Sequence, residues 1–251
     1  MPEIWDAWRD KSWDEMAREN PLGAIMTTPE MMASAEISEE RLEAFFAKGR
    51  DLVERNLLPL PDQGLIVEFG CGAGRILRHI YEQGRDCAGI DISPTMVDLC
   101  RRLVPQAQAH VFAGGRTPLP DGCASLVYSY AVVQHISRLS DYFAAFDEMC
   151  RLVAPGGVLR VQVACDDFLG GLETPGRTEN FETYSLHSPV TGKPYRRDYN
   201  NWIGVAIGHE FQEKILRDHG LIVGGWRAHS GKQRSRAMWV SATRPSGLIS
   251  T

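Results

Sequence analysis

Three glycines at alternate positions, Gly70, Gly72 and Gly74, follow a short apolar run that carries an acidic residue, Glu68, near its end. A main chain without side chains lets a ligand approach closely and permits the positive φ angles of a tight turn. At the carboxyl end of a strand in an open parallel sheet, such a turn is typical of a nucleotide-binding site. A plain strand-to-helix turn can also be rich in glycine, so this pattern alone is weak evidence.

A carboxylate at the end of the next apolar run strengthens the nucleotide interpretation. Asp91 ends "AGID", roughly twenty residues after the glycines, where a carboxylate can accept hydrogen bonds from both hydroxyls of a ribose. Asp91 could instead cap the following helix, but Ser93 suits that role better. Arg75 stands where a dinucleotide-binding turn has its third glycine. This replacement favours an adenosine ligand without a pyrophosphate.

The elements that must position these residues predict an α/β fold. Residues 64–164 alternate apolar strands with helices, an order that predicts a doubly wound, mostly parallel sheet. We expect residues 1–60 to form an N-terminal helical cap and residues 61–251 the main domain. Residues 166–208 are polar and irregular, which is typical of a functional insert or of a disordered loop.

Several boundaries can be predicted from single residues. Ser38 and Ser93 are expected to cap helices. "GRILRHIYEQG" is expected to form a helix that ends at Gly84. Pro155 and the glycine pair after it are expected to stop the helix that precedes the fifth strand.

Four segments in order resemble the motifs of the class I S-adenosylmethionine-dependent methyltransferases. They are "VEFGCGAGR", "GIDIS", "LPDGCASLVYSYAVVQHI" and "EMCRLVAPGGVLRVQV", and the resemblance covers residues 64–163. The resemblance implies a seven-stranded, Rossmann-like sheet whose last strand is antiparallel, with S-adenosyl-L-methionine as cofactor. "WDEMARENPLGAIM" resembles N-terminal segments that close over the cofactor in some bacterial small-molecule members, which implies that the cap acts as a lid.

The resemblance also implies a cofactor site. Asp91 would hold the ribose, Ile92 would lie against the adenine, and Ser129 would line the methionine end or the reacting centre. Many members have an acidic residue where Gly115 stands, and the neighbouring Arg116 cannot accept a hydrogen bond, so adenine recognition would rest on backbone groups. The complete implied set is Glu68, Gly70, Cys71, Gly72, Gly74, Asp91, Ile92, Gly115, Arg116 and Ser129.

His135 is the candidate catalytic residue. It follows the fourth strand, near the expected methyl position, where an imidazole could remove a proton from the acceptor. A structural histidine at a helix start is the alternative. The residues expected to meet the acceptor suit a polar aromatic or anionic small molecule, although ordinary packing or a solvated loop could also explain them. They are Trp13, Tyr130, Gln134, Tyr184, Arg196 and Arg197.

The composition argues against several other classes of function. The net charge is −5 and Lys and Arg form no long run, so nucleic acid is not an expected partner. No apolar segment is long enough to span a bilayer, and the charged N-terminus does not resemble a signal peptide. Six scattered cysteines without a CxxC pair indicate neither a metal site nor disulfides. These features predict a cytoplasmic protein with no metal.

Three functions fit these patterns. We expect methyl transfer to a small molecule, with oxygen favoured over nitrogen or carbon as the acceptor atom. An NAD(P)-dependent oxidoreductase shares the fold, but it would require the third glycine, which is missing here, and a contact with the pyrophosphate. A non-catalytic cofactor-binding protein is the third alternative, because a cofactor site does not prove turnover.

Overall fold

The computed structural model describes residues 11–136, 138–164, 195–196, 203–204, 208–228 and 237–247. The chain divides into two compact units. The first unit comprises Asp10–Leu119 and Cys123–Leu126, and the second comprises Met1–Arg9, Pro120–Gly122 and Val127–Thr251.

Four described helices precede the first strand, and local sequence explains where they begin. Ser12 forms a capping box at the start of the first helix. Asn20 Oδ1 accepts a hydrogen bond from the Gly23 N–H at 2.9 Å, and Ser38 Oγ accepts one from the Arg41 N–H at 3.4 Å. The helices are α1 (Trp13–Glu19), α2 (Pro21–Ile25), α3 (Pro29–Met32) and α4 (Glu39–Leu52), and a π-helical turn, Val53–Leu57, follows them.

The first unit also contains three parallel strands and two further helices. The strands are β1 (Leu65–Phe69), β2 (Cys87–Asp91) and β3 (Gln108–Val111), and the helices are α5 (Leu77–Glu82) and α6 (Pro94–Leu103). β2 pairs in parallel with both β1 and β3. Nearly every residue of β1 and β2 is buried, as expected for strands covered on both faces. Asp91 emerges as the partly exposed last residue of β2.

The second unit contains the other elements. They are β4 (Ala124–Ser129, which begins in the first unit), a 3₁₀ turn (Val133–His135), α7 (Leu139–Leu152), β5 (Val153–Ala164), β6 (Tyr195–Arg196), β7 (Ile203–Gly204), α8 (His209–Asp218), β8 (Ile222–Ala228) and β9 (Ala237–Thr243). β9 pairs antiparallel with β5 and with β8, while β6 and β7 form a separate two-stranded pair.

The seven longer strands form one sheet in the order β3-β2-β1-β4-β5-β9-β8. The sheet is mostly parallel and flanked by helices, and its last strand, β9, is antiparallel to its neighbours. This arrangement confirms the predicted fold class. The caps at Ser38 and Ser93 and the end of α5 before Gly84 also agree with the sequence.

Two boundaries differ from the prediction. α5 begins at Leu77 instead of at Gly74, because the residues before Leu77 form the glycine turn. β5 begins at Val153, ahead of Pro155. The Gly156 N–H donates to the Arg244 carbonyl at 2.8 Å, and the Arg244 N–H donates to the Gly157 carbonyl at 3.0 Å. These hydrogen bonds extend the antiparallel pairing, so the proline and glycines lie inside the strand.

Candidate active site

The glycine loop, residues 70–74, is bound to the end of β2 through its main chain. Gly70, Gly72 and Gly74 have φ angles of 82°, 51° and 82°, a region that favours glycine. The N–H groups of Gly70 and Cys71 both donate to the Ile90 carbonyl, at 2.7 and 3.0 Å. The loop therefore has a defined shape beside the carboxyl ends of β1 and β2.

The Asp91 carboxylate joins the glycine loop to the start of α6. Its Oδ2 accepts a hydrogen bond from the Gly72 N–H at 2.8 Å, and its Oδ1 accepts one from the Ser93 N–H at 2.9 Å. Burial raises the pKa of Asp91, while the N–H groups of Ser93, Gly72 and Ile92 act in the opposite direction. Because a carboxylate oxygen can accept more than one hydrogen bond, Asp91 keeps acceptor capacity for ribose hydroxyls.

Two of the glycines lack a side chain for reasons of packing. A Cβ on Gly72 would lie 2.6 Å from Cδ1 of Ile25, the last residue of α2. A Cβ on Gly74 would lie 2.8 Å from Val104 Cγ2 and 2.9 Å from Cys100 Sγ. Sequence reasoning assigned the bare main chain to close approach of a ligand. The structure adds that α2 covers Gly72 and that the core occupies the space next to Gly74.

Glu68 and Cys71 from the implied cofactor set are each 3% exposed. A hydrogen bond with the Cys100 thiol, together with burial, raises the pKa of the Cys71 thiol. A thiol with a raised pKa is a poor nucleophile and stays neutral near pH 7. The Cys71 side chain therefore packs in the core, and its main chain is the part that lies in the loop.

Asp14 of α1 binds the N-terminus of α6. It accepts a hydrogen bond from the Ser93 hydroxyl at 2.7 Å and one from the Thr95 N–H at 2.9 Å, and Arg18 lies 2.5 Å from its other oxygen. The hydrogen bonds from Ser93 and Thr95 lower the pKa of Asp14. These hydrogen bonds fix α1 to Ser93, which follows Asp91 by two residues in the chain.

The residues expected near the adenine lie at the surface of the first unit. Ile92 is 60% exposed, which is unusual for an isoleucine and offers apolar surface to a planar ring. Gly115 and Arg116 are also exposed, and apart from Gly115 and its two chain neighbours no described residue has a heavy atom within 4 Å of the Cβ position at Gly115.

In the second unit, the turn after β4 is strained. Ala131 has a φ angle of 57°, and it is the one non-glycine residue in the described ranges with a positive φ. Such a conformation costs roughly 1–2 kcal/mol for a residue with a side chain. The Ala131 N–H donates to Oε1 of the buried Gln162 at 3.1 Å. Next to it, Tyr130 stacks on Trp239 with ring centroids 5.8 Å apart, and Ser129 is fully buried.

His135 lies in the 3₁₀ turn beside Gln134. The Gln134 amide nitrogen lies 3.2 Å from His135 Nε2, and both side chains are partly buried. In the tautomer that places the proton on Nδ1, this amide donates to Nε2 and occupies the lone pair that a general base needs. For Nε2 to accept a proton from an acceptor molecule, this hydrogen bond must break.

Most of the substrate-binding residues expected in the insert are not described. Tyr184 and Arg197 lie outside the described residues, and Arg196 is described only as a main-chain partner of Ile203. Trp13 is the first residue of α1. Within the described ranges, no cluster of three His, Cys, Asp or Glu residues is arranged to hold a metal ion. The helices of these ranges are all too short or too polar to cross a membrane.

Sequence reasoning missed Asp14, Ile25, Ala131 and Gln162. Asp14 looks like an ordinary acidic residue of a first helical turn, and Gln162 is a polar residue in a strand. A polar residue between the two valines Val161 and Val163 of β5 was a usable signal, since buried polar side chains require a partner. The other three had no local signal, because their contacts are distant in sequence.

A glycine loop at the exit of β1, held by a carboxylate at the exit of β2, defines a Rossmann-like nucleotide-binding domain. The exposed Ile92 and the spare acceptor capacity of Asp91 fit an adenosyl group. Residues 67–161 match the family model "Methyltransferase domain". This central part of the chain is therefore similar to the class I S-adenosylmethionine-dependent methyltransferases.

Two curated relatives and one solved structure illustrate this similarity. A malonyl-[acyl-carrier protein] O-methyltransferase of Serratia marcescens is 35% identical over 38% of this chain and 36% of its own length. A trans-aconitate 2-methyltransferase of an Azoarcus species is 33% identical over 50% of this chain and 47% of its own length. The chain thus spans less than half of either relative. An S-adenosylmethionine-dependent methyltransferase from Mesorhizobium loti has the same fold, with a TM-score of 0.60 at 19% identity over 78% of this chain and 98% of that one.

Proposed function

We propose that this protein transfers the methyl group of S-adenosylmethionine to a small-molecule acceptor. The observation that carries the proposal is the Asp91 carboxylate, which holds the glycine loop through Gly72 and keeps acceptor capacity for a ribose. A net charge of −5 supports a small molecule over a nucleic acid as acceptor. The scattered cysteines support a cytoplasmic setting.

The proposed chemistry needs positioning more than activation. When bound, the cofactor supplies a methyl group on a sulfonium, which is already a good leaving group. Asp91 binds the ribose, Ile92 contacts the adenine, and the main chain of the glycine loop faces the methionine end. Holding a nucleophile in line with the methyl carbon can contribute about 7–11 kcal/mol in the best intramolecular cases.

Residues 1–60 are proposed to cover the bound cofactor. The support is the contact of Ile25 with the Gly72 position and the hydrogen bonds of Asp14 to the start of α6. A cover over this loop would exclude water from the reacting groups.

Oxygen is the proposed acceptor atom, and His135 is the proposed general base. One relative is named as an O-methyltransferase, and a hydroxyl acceptor must lose a proton in the reaction. The contact with Gln134 gives His135 a defined ring orientation in the second unit. If the acceptor is instead a carboxylate, no proton is removed and His135 is dispensable.

Ligand binding provides the first test. S-adenosylhomocysteine at about a hundred times its dissociation constant should stabilise the folded protein by roughly 2.7 kcal/mol, and NAD should have no effect. A rise in the unfolding temperature with NAD alone would favour the oxidoreductase.

Turnover provides the second test. S-adenosylhomocysteine release from S-adenosylmethionine should be measured with hydroxyl, carboxylate, amine and thiol acceptors, with trans-aconitate among them. Tight binding of the cofactor without turnover on any of these acceptors would favour the non-catalytic alternative.

A further inference from the structure

Arg41 has two buried guanidinium nitrogens without an acceptor in the described part of the chain. It lies in the first turn of α4, and its Nη2 donates to the Met31 carbonyl at 2.8 Å. Its Nε and Nη1 are shielded from solvent, and no described residue accepts a hydrogen bond from either atom.

This arrangement is unfavourable for the protein alone. A buried donor without a partner costs free energy, and the cost is larger when the group is charged. None of the ion pairs formed by the described residues includes Arg41. A negatively charged ligand group would supply both the acceptor and the opposite charge.

The face of α4 that carries Arg41 packs against the residue that follows the glycine loop. Arg41, Phe45 and Gly49 are spaced by four residues and therefore lie on one face of the helix. The Cβ position of Gly49 is in direct contact with the Arg75 carbonyl. The Arg75 guanidinium lies over the Phe45 ring, 5.9 Å from its centroid. Arg41 thus lies one helical turn before a residue that contacts Arg75.

A second set of contacts connects Arg41 to the loop through the N-terminal helices. The Met31 carbonyl that binds Arg41 also accepts a hydrogen bond from Asn20 Nδ2 at 2.9 Å. Asn20 caps α2, whose last residue, Ile25, covers Gly72. The guanidinium is therefore held in place by the same segment that covers the loop.

We propose that Arg41 binds the carboxylate of the amino-acid end of the cofactor, an inference that rests on the proposed function. Guanidinium and carboxylate are complementary in charge and in hydrogen-bonding geometry. Arg41 and the glycine loop belong to the same compact unit, which favours the carboxylate of the cofactor over one on the acceptor.

The test compares two ligands that differ in this carboxylate. S-adenosylhomocysteine carries it, whereas 5′-methylthioadenosine has the same nucleoside and sulfur without the amino-acid end. Calorimetry should show that Arg41→Met weakens S-adenosylhomocysteine binding by about 10- to 100-fold, the range expected for a lost hydrogen bond to a charged group. Binding of 5′-methylthioadenosine should change by less than about twofold. Arg41→Lys should give an intermediate loss, because Lys keeps the charge but not the planar set of donors.

Lys48→Met is the matched control, since Lys48 is an exposed cation on the same helix. It should leave both affinities unchanged. Equal losses for both ligands in Arg41→Met would mean a structural role for Arg41 and would overturn the assignment, as would no loss for either. If Arg41→Met lowers only the affinity for trans-aconitate, added to protein saturated with S-adenosylhomocysteine, Arg41 binds the acceptor and the assignment to the cofactor is also overturned. If the wild-type protein binds neither nucleoside, the proposed function itself fails.

Discussion

Replacing Asp91 with asparagine should weaken both the folded protein and its binding of the cofactor. In the structure the carboxylate accepts hydrogen bonds from the Gly72 and Ser93 N–H groups at 2.8 and 2.9 Å. The asparagine amide has one oxygen, so it can replace one of these acceptors well, and its NH₂ group faces a donor at the other. A role limited to the ribose would leave the ligand-free protein unaffected.

The magnitude follows from these contacts. Losing one hydrogen bond to a charged group costs about 1.5–3 kcal/mol. Partial burial raises the pKa of Asp91, so removing the charge offsets part of that cost. We expect a net loss of about 1–3 kcal/mol in the free energy of unfolding. Each kcal/mol lost should lower the Tm by about 2–4 °C. The loss of one ribose contact to a charged acceptor should weaken S-adenosylhomocysteine binding by about 10- to 100-fold.

Urea denaturation without ligand and calorimetry with S-adenosylhomocysteine measure the two effects separately. Asp98→Asn is the control, because Asp98 lies on α6 with 69% of its side chain exposed and pairs only with Arg101 in the described part. A variant Asp91→Asn with wild-type stability and weak binding would refute the linkage between Asp91 and the loop. Undiminished binding would refute the ribose role.

Three further predictions follow from single contacts. Gly72→Ala places a Cβ 2.6 Å from Ile25 Cδ1 on a residue with a φ angle of 51°. It should therefore lower the free energy of unfolding by about 1–2 kcal/mol. Adding Ile25→Ala should restore the part of this loss that comes from the steric contact but not the part that comes from backbone strain. Asp14→Ala should lower the free energy of unfolding by about 1 kcal/mol at pH 7. Hydrogen bonds lower the pKa of Asp14 in the folded protein below its ordinary value of 3.8, so this stabilisation is complete above pH 3.8 and disappears as the pH falls through the folded-state pKa. A difference in stability between the wild type and Asp14→Ala that persists below that pH would contradict this account. His135→Gln should reduce turnover by about two orders of magnitude without changing S-adenosylhomocysteine affinity if His135 is the base, and unchanged turnover would make it structural.

Local sequence was sufficient for much of the fold and for the location of the glycine loop and Asp91. The glycine loop, Asp91 and the caps at Ser38 and Ser93 depend on interactions within a few residues, or on one backbone conformation that glycine favours. Apolar strands alternating with helices were sufficient to predict the sheet, because few topologies bury such strands on both faces. The strand start at Val153 was missed because the pairing that extends β5 comes from Arg244, far along the chain.

Only the tertiary structure decided what surrounds the glycine loop and Asp91. The sequence predicted that the N-terminal segment is helical, but not that Asp14 binds Ser93 across 79 positions or that Ile25 covers Gly72. It identified Gly74 as a ligand-facing residue, but it could not show that Val104 and Cys100 lie beside its Cβ position. Periodicity shows which face of a helix is apolar but not which partner it meets, since partners are selected by packing over the whole chain.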